Sequence, residues 1–315
     1  MRRNLAFAFS AVASLISSGA LAEDVPKSAQ DQAKATSGAT EVTSDKATAL
    51  DRAADAKDAT ELSLSAGGLQ AGGNANLLAM TAAEKFRLRR EDNQFKQVFA
   101  ANYARSAAPP STDLQTTVAN IQALVRYDRF LGDFTLFLGA QGRSDKFQGL
   151  NARANVDPGV GYYFINEKTN AFWTELGYDF QYDNRRDDAI FNPDGTRQLD
   201  GSGKPLDKNR VLHSGRAFIG YENAFNATSK VTAGVEFLQG LSDTKVYRVN
   251  SDVALTTKIA KSLAISFAFS ERFDSEPLPG KQKMDTVTSA SLVYTFLLSR
   301  PDDHARRVQE VHSAR

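Results

Sequence analysis

The chain contains no cysteine. That excludes a thiol nucleophile, thiolate metal sites and a disulfide framework, so the fold must hold without covalent staples. It also lacks an excess of either charge: 38 Lys and Arg against 37 Asp and Glu give a formal net charge of +1. A nucleic-acid partner wants a basic face, and this balance offers none. Long apolar runs are missing too. Past the first 22 residues nothing approaches the ~20 consecutive apolar residues of a spanning helix, and mean hydropathy is −0.38. A membrane β-barrel survives that test, because its strands alternate and their hydropathy averages away.

What is present begins with an export signal. Met1-Arg2-Arg3 is a charged start, residues 5–16 (LAFAFSAVASLI) an apolar stretch, and Ala20-Leu21-Ala22 a small-x-small cleavage site. Residues 1–22 therefore read as a signal peptide of a bacterial, non-lipoprotein precursor. Residues 23–60 are rich in Ala, Asp, Lys, Ser and Thr and have no aromatic. Such a segment cannot bury enough apolar surface to offset its ordering entropy. It reads as a polar periplasmic arm, disordered or weakly helical over 47–62. Residues 299–315 form a charged C-terminal tail.

Between them, period-two alternation predicts strands. In SLAISFAFSERF (262–273), Leu263, Ile265, Phe267, Phe269 and Phe273 fall on one parity and Ala264, Ser266, Ala268, Ser270 and Arg272 on the other. Twelve such segments are expected, at 61–70, 77–90, 94–105, 117–129, 134–143, 153–165, 171–183, 210–222, 230–239, 247–259, 263–273 and 286–297. Their connections alternate as well. Short turns at 91–93, 130–133, 166–169, 223–229 and 260–262 interleave with longer polar loops, the longest at 184–209. Short turns on one side, long loops on the other and an even strand count are the signature of a bacterial outer-membrane barrel. The predicted fold is all-β: one closed antiparallel transmembrane barrel over 61–298, of about twelve strands.

In that reading the Leu, Ile and Phe parity meets lipid, and closure leaves no unpaired strand edge in hydrocarbon. Tyr127, Phe134, Tyr221, Tyr294 and Phe296 would mark the periplasmic rim, and Tyr103, Phe180, Tyr182, Phe237 and Phe273 the outer rim. The opposite parity would line the lumen with Arg126, Arg143, Arg153, Asn155, Glu175, Asp179, Arg216, Glu236, Asp252 and Lys258. Buried charges must be paired, so one reading is a structural network of Arg–carboxylate pairs that fills the interior. The other is a narrow, weakly selective pore, since the mixed signs make no ring of one charge. A soluble β-sandwich or lipocalin-like binding barrel remains open, because alternation does not say which face is inside.

Candidate chemistry is sparse. Of three histidines, His304 and His312 lie in the tail and His213 lies on a strand beside Ser214. Adjacent strand residues point to opposite faces, so His213 and Ser214 cannot form a dyad; a lipid hydrolase would need a serine from a neighbouring strand. The loop DNRRDDAIFNPDGTRQLDGSGKPLDKN (183–209) holds several Asp but no EF-hand register. Asn192-Pro193-Asp194-Gly195 and Asp200-Gly201 are turn signals, and a small hairpin above the membrane is expected there. No catalytic residue, cofactor or metal is assigned.

Several segments are family-like: GLQAGGNAN (68–76), YDRFLGDF (127–134), PGVGYYFI (158–165), ELGYDFQYDN (175–184) and SLVYTF (291–296). In their order and spacing they resemble the salt-induced outer membrane proteins of Gram-negative bacteria, a family of unknown function. The resemblance implies a cell outer-membrane barrel with no assigned substrate or catalytic residue. Its expected partners are outer-membrane lipid and lipopolysaccharide, the barrel-assembly machinery, and small solutes or ions; a link to envelope or salt stress comes from the family name. This chain departs from the family in its polar tail after Phe296 and its long arm.

Overall fold

The computed structural model describes residues 58–71, 76–107, 113–167, 169–201 and 203–299. The expected signal peptide, residues 23–57 of the expected arm, the tail after 299 and its two histidines lie outside them; residues 58–62, placed by the sequence in the arm or in a weak helix over 47–62, are strand. Twelve strands form one closed antiparallel barrel in which each strand pairs with its sequence neighbours and β1 pairs with β12. They are β1 (Asp58–Ala71), β2 (Asn76–Arg90), β3 (Asn93–Ala107), β4 (Gln115–Leu131), β5 (Phe134–Asp145), β6 (Leu150–Asn166), β7 (Asn170–Arg185), β8 (Asn209–Ala224), β9 (Ser229–Gly240), β10 (Tyr247–Lys258), β11 (Leu263–Asp274) and β12 (Met284–Ser299). All twelve segments expected from alternation are strands, most running a few residues further than the pattern requires.

The alternation faces the way a lipid-embedded barrel needs. Leu64, Ile121, Leu136, Leu138, Val160, Leu176, Ile219, Val235 and Phe267 are exposed on the outside, while Arg126, Asp128, Glu175, Asp179, Arg216 and Glu236 are buried. A soluble barrel would show the reverse. Outward aromatics gather at the short-turn end: Phe134 and Tyr162 rings stand 4.7 Å apart, Tyr162 and Phe164 5.0 Å, Phe164 and Phe172 5.6 Å. A second group, Phe237, Tyr247 and Phe273, sits at the loop end, with the last two stacked at 5.5 Å. Aromatic belts of this kind suit the two interfaces of a membrane. Tyr127, Phe134, Tyr221, Tyr294, Tyr103, Tyr182 and Phe237 are all exposed on the exterior.

The turns keep their asymmetry, with two differences. The β5–β6 connection is only 146–149, because both strands extend into the expected loop. The long β7–β8 connection does not simply project. It contains a 3-10 turn (Asp187–Ala189) and two small bridged turns, Phe191↔Arg197 and Leu199↔Pro205. It buries Ile190 and Leu206, and Arg186 N–H donates to the Gly149 carbonyl at 2.9 Å. Gly149 has φ +72°, and a Cβ there would lie 2.6 Å from that of Ala189. The loop is folded down onto the β5–β6 turn because it carries apolar anchors among its turn residues. At its tip Thr196 donates to Asp194 from its hydroxyl (2.6 Å) and its N–H (2.9 Å), which holds that carboxyl below the usual carboxylate range.

Candidate functional site: the barrel lumen

Alternate residues of every strand point inward, so the lumen is built by parity alone. Nearest the short-turn end the filling is aromatic. Phe130 (β4), Tyr163 (β6), Ala171 and Trp173 (β7) and Phe218 (β8) form one buried cluster. Trp173 stands 5.8 Å from Tyr163 and 6.2 Å from Phe218, ring to ring. The Arg89 guanidinium lies 4.0 Å above Phe130. Trp173 has room because its register partner on β8 is Gly220; a Cβ there would sit 2.3 Å from the indole.

Above this layer lies a charged one. Arg126 (β4) donates to both oxygens of Glu175 (β7), at 2.8 and 3.2 Å, and from Nε to Asp128 at 2.8 Å. Arg216 (β8) donates to Glu175 at 2.8 Å and to Glu236 (β9) at 2.6 Å. Asn250 (β10) adds a 2.8 Å bond to Glu236. Phe137 (β5) is wedged between the arginines, 4.1 Å from the Arg126 guanidinium carbon and 5.4 Å from that of Arg216. It lies over Gly159, its register partner on β6. Each guanidinium faces at least two carboxylates, which is the pairing that burial of a charge demands.

Nearer the loops the network continues. Asn155 donates to both oxygens of Asp179 (2.7 and 2.9 Å), and Arg153 grips Asp183 bidentately (2.6 and 2.8 Å). Arg143 pairs with Asp145 at 2.5 Å and Arg272 with Asp252 at 2.8 Å. Arg248 (β10) reaches across to the Gln181 carbonyl on β7.

Of the residues selected from the sequence, Arg126, Asn155, Glu175, Asp179, Arg216, Glu236 and Asp252 are buried, and Arg143 and Arg153 are partly so. Lys258 has the same parity but is the last residue of β10 and is exposed. Sequence reasoning passed over Asp128, Asp183, Arg248 and the aromatics Phe137 and Trp173. Parity could have found them: Trp173 is in step with Glu175, Phe137 with Arg143, and Asp183 with Asp179.

His213 points outward, opposite Phe180 in the β7–β8 register, and its Nδ1 bonds the Tyr178 hydroxyl. Ser214 faces inward, opposite Asp179, and is buried. Among the described residues no group of three or more His, Cys, Asp or Glu is arranged to hold a metal.

Residues 64–296 match the family model described as "Protein of unknown function, DUF481". No curated protein matches the chain. Among solved structures, the NanC porin is 13% identical with a TM-score of 0.42, covering 75% of this chain and 98% of the porin. An outer membrane channel from Pseudomonas putida F1 is 10% identical with a TM-score of 0.45, covering 77% and 97%. The translocator domain of the autotransporter NalP from Neisseria meningitidis is 10% identical with a TM-score of 0.43, covering 82% and 92%. At these scores the likenesses say nothing of what this barrel carries.

Proposed function

Because the chain belongs to the DUF481 family of unknown function, membership brings no activity, and we propose from the geometry that it is a non-enzymatic, integral outer-membrane barrel whose resting lumen is closed. One observation carries the closure. Arg126, Phe137, Glu175 and Arg216 meet in mid-lumen and are 3%, 5%, 2% and 3% exposed. A water-filled pore wets the groups that line it; these are dry, and the Arg126–Glu175 bridge joins strands that are not neighbours. The alternating exterior, the aromatic belts and the closed order of the twelve strands support residence in lipid. The export signal adds the route: periplasmic passage, insertion by the barrel-assembly machinery, and an exterior in contact with phospholipid and lipopolysaccharide. A role under envelope or salt stress is part of the proposal, supported by the family resemblance alone.

The test is planar-bilayer conductance of the refolded full chain. The closed-lumen reading expects wild type to show no sustained conductance, and Arg126→Ala/Arg216→Ala to show discrete openings. Steady ohmic conductance from wild type would replace this reading with the narrow pore.

A further inference from the structure

Between the mid-lumen network and the loops lies a cavity of about 150 Å³. Eight cationic side chains line it against five carboxylates: six arginines with Lys281 and Lys283, against Asp183, Glu236, Asp274, Glu276 and Asp285. Net charge alone would not make a site, since Asp145 at the loop end of β5 and Asp179 and Asp252 deeper on β7 and β10 stand close by. The distribution of hydrogen-bond donors does. Arg143, Arg153, Arg272 and Arg210 are each held by a carboxylate: Asp145, Asp183, Asp252 and Glu276. Arg185 and Arg248 are not. Arg185 donates to the Asp207 backbone carbonyl at 3.2 Å, and Arg248 to the Gln181 side-chain carbonyl. The Nη2 of Arg248 is buried and has no partner. Asp274 and Asp285 are turned to neutral donors, the Glu276 N–H at 2.9 Å and Gln148 Nε2 at 3.2 Å.

The register sets two more cations at this level: Arg143 and Arg153 are direct partners across β5 and β6, each already held by its own carboxylate, Asp145 and Asp183. The unmet cost lies at Arg248, since an ionised guanidinium with an unsatisfied buried N–H is costly. That cost falls if an anion enters. A guanidinium fork matches the paired oxygens of a carboxylate or phosphate, and the cavity has room for one small solute.

We propose that this vestibule is a binding site for a small oxyanion, a carboxylate or phosphate, with Arg248 and Arg185 as its principal donors and Arg143 and Arg153 behind them. The site lies inside the barrel beneath the loops, so its ligand is a free solute rather than a lipid headgroup. It goes beyond the closed-lumen reading and does not depend on it, because binding from the loop side needs no path through the barrel.

The experiment is calorimetric titration of refolded full-length protein, in phosphate-free detergent micelles at low ionic strength, with inorganic phosphate and separately with succinate. Saturable binding of at least one is expected. Arg248→Gln should weaken it about tenfold or more, the loss of a charge-assisted bond. Arg185→Gln should weaken it less, and Arg129→Gln, outside the cavity, should leave it unchanged. Folding of each variant is checked by heat-modifiable gel mobility; should Arg248→Gln fail to fold, Arg185→Gln decides in its place. No saturable binding of either anion by wild type, or binding that Arg248→Gln and Arg185→Gln leave intact, overturns the site. Bilayer conductance is read independently, so an open barrel that binds anions and a closed barrel that does not are told apart.

Discussion

Arg126 and Glu175 are bonded across the barrel. They stand on β4 and β7, with β5 and β6 between them in the sheet, yet Nη2 lies 2.8 Å from Oε1. Backbone pairing links each strand only to its neighbours; this contact ties one wall to another. Glu175 also holds Arg216. Removing the carboxylate would leave two buried guanidiniums short of a partner, and breaking a buried pair on one side costs about 3–5 kcal/mol. Glu175→Ala should therefore lower the urea midpoint of the refolded barrel markedly. Arg126→Met/Glu175→Leu should recover part of the loss relative to Arg126→Met or Glu175→Leu alone, since it removes both charges of the pair. A loss in the double variant equal to the sum of the two single losses would mean that the bridge is not a coupled unit.

Trp173 and Phe137 each lie over a glycine on the next strand. A side chain at Gly220 would meet the indole, and one at Gly159 would come within 2.3 Å of the Phe137 ring. Overpacking of this kind costs about 1–3 kcal/mol. Gly220→Val should destabilise the barrel by that amount and alter the emission of Trp173, the only tryptophan in the chain. Gly201→Val, in the β7–β8 loop with open space around it, should do neither.

The seam between β1 and β12 is short. Its register runs through seven pairs, from Thr60↔Ser299 to Ala66↔Leu292, with a shift after the first. By contrast β11 and β12 pair through eleven. Towards the loops, Gly67–Ala71 pairs only with β2, and residues 284–291 only with β11. Backbone groups without a ladder partner exchange their amides readily. Hydrogen exchange should thus be faster along the seam-facing edges of these two segments than along β6 or β7. A disulfide across register partners, Ser65→Cys/Val293→Cys, should form and raise resistance to heat denaturation in detergent. Protection of the upper seam equal to that of β6 would refute this.

The strands were legible because burial on one face writes a period of two into the sequence. Leu263, Ile265 and Phe267 against Ala264, Ser266 and Ala268 needed nothing else. Orientation was only half legible. Alternation is the same in a soluble barrel, and in the sequence only loop asymmetry and an export-like start favour lipid; the fold has Leu176 outside and Glu175 inside. Inward charges such as Arg216 and Glu236 could be selected by parity, but their partners could not. Whether Arg126 reaches Glu175 depends on barrel closure and tilt, which no local pattern encodes. The aromatic layer was missed for a different reason. Parity assigns Trp173 and Phe137 to the inner face, but a polar lumen gives no reason to place aromatics there, and the glycines opposite them, Gly220 and Gly159, become partners only through the register. Ile190 and Leu206 were hidden in a stretch rich in turn residues, where two apolar anchors are too few to make a period.

The most direct measurement is quenching by brominated phospholipid of tryptophan fluorescence in the refolded protein. Trp173 is 2% exposed and faces the lumen, whereas Leu176, three residues on, is 63% exposed on the exterior. The account predicts that wild-type emission is insensitive to bromine on the acyl chains, and that Trp173→Phe/Leu176→Trp is strongly quenched. Strong quenching of the native Trp173, with none in the Leu176→Trp protein, would invert the barrel's faces and contradict the account.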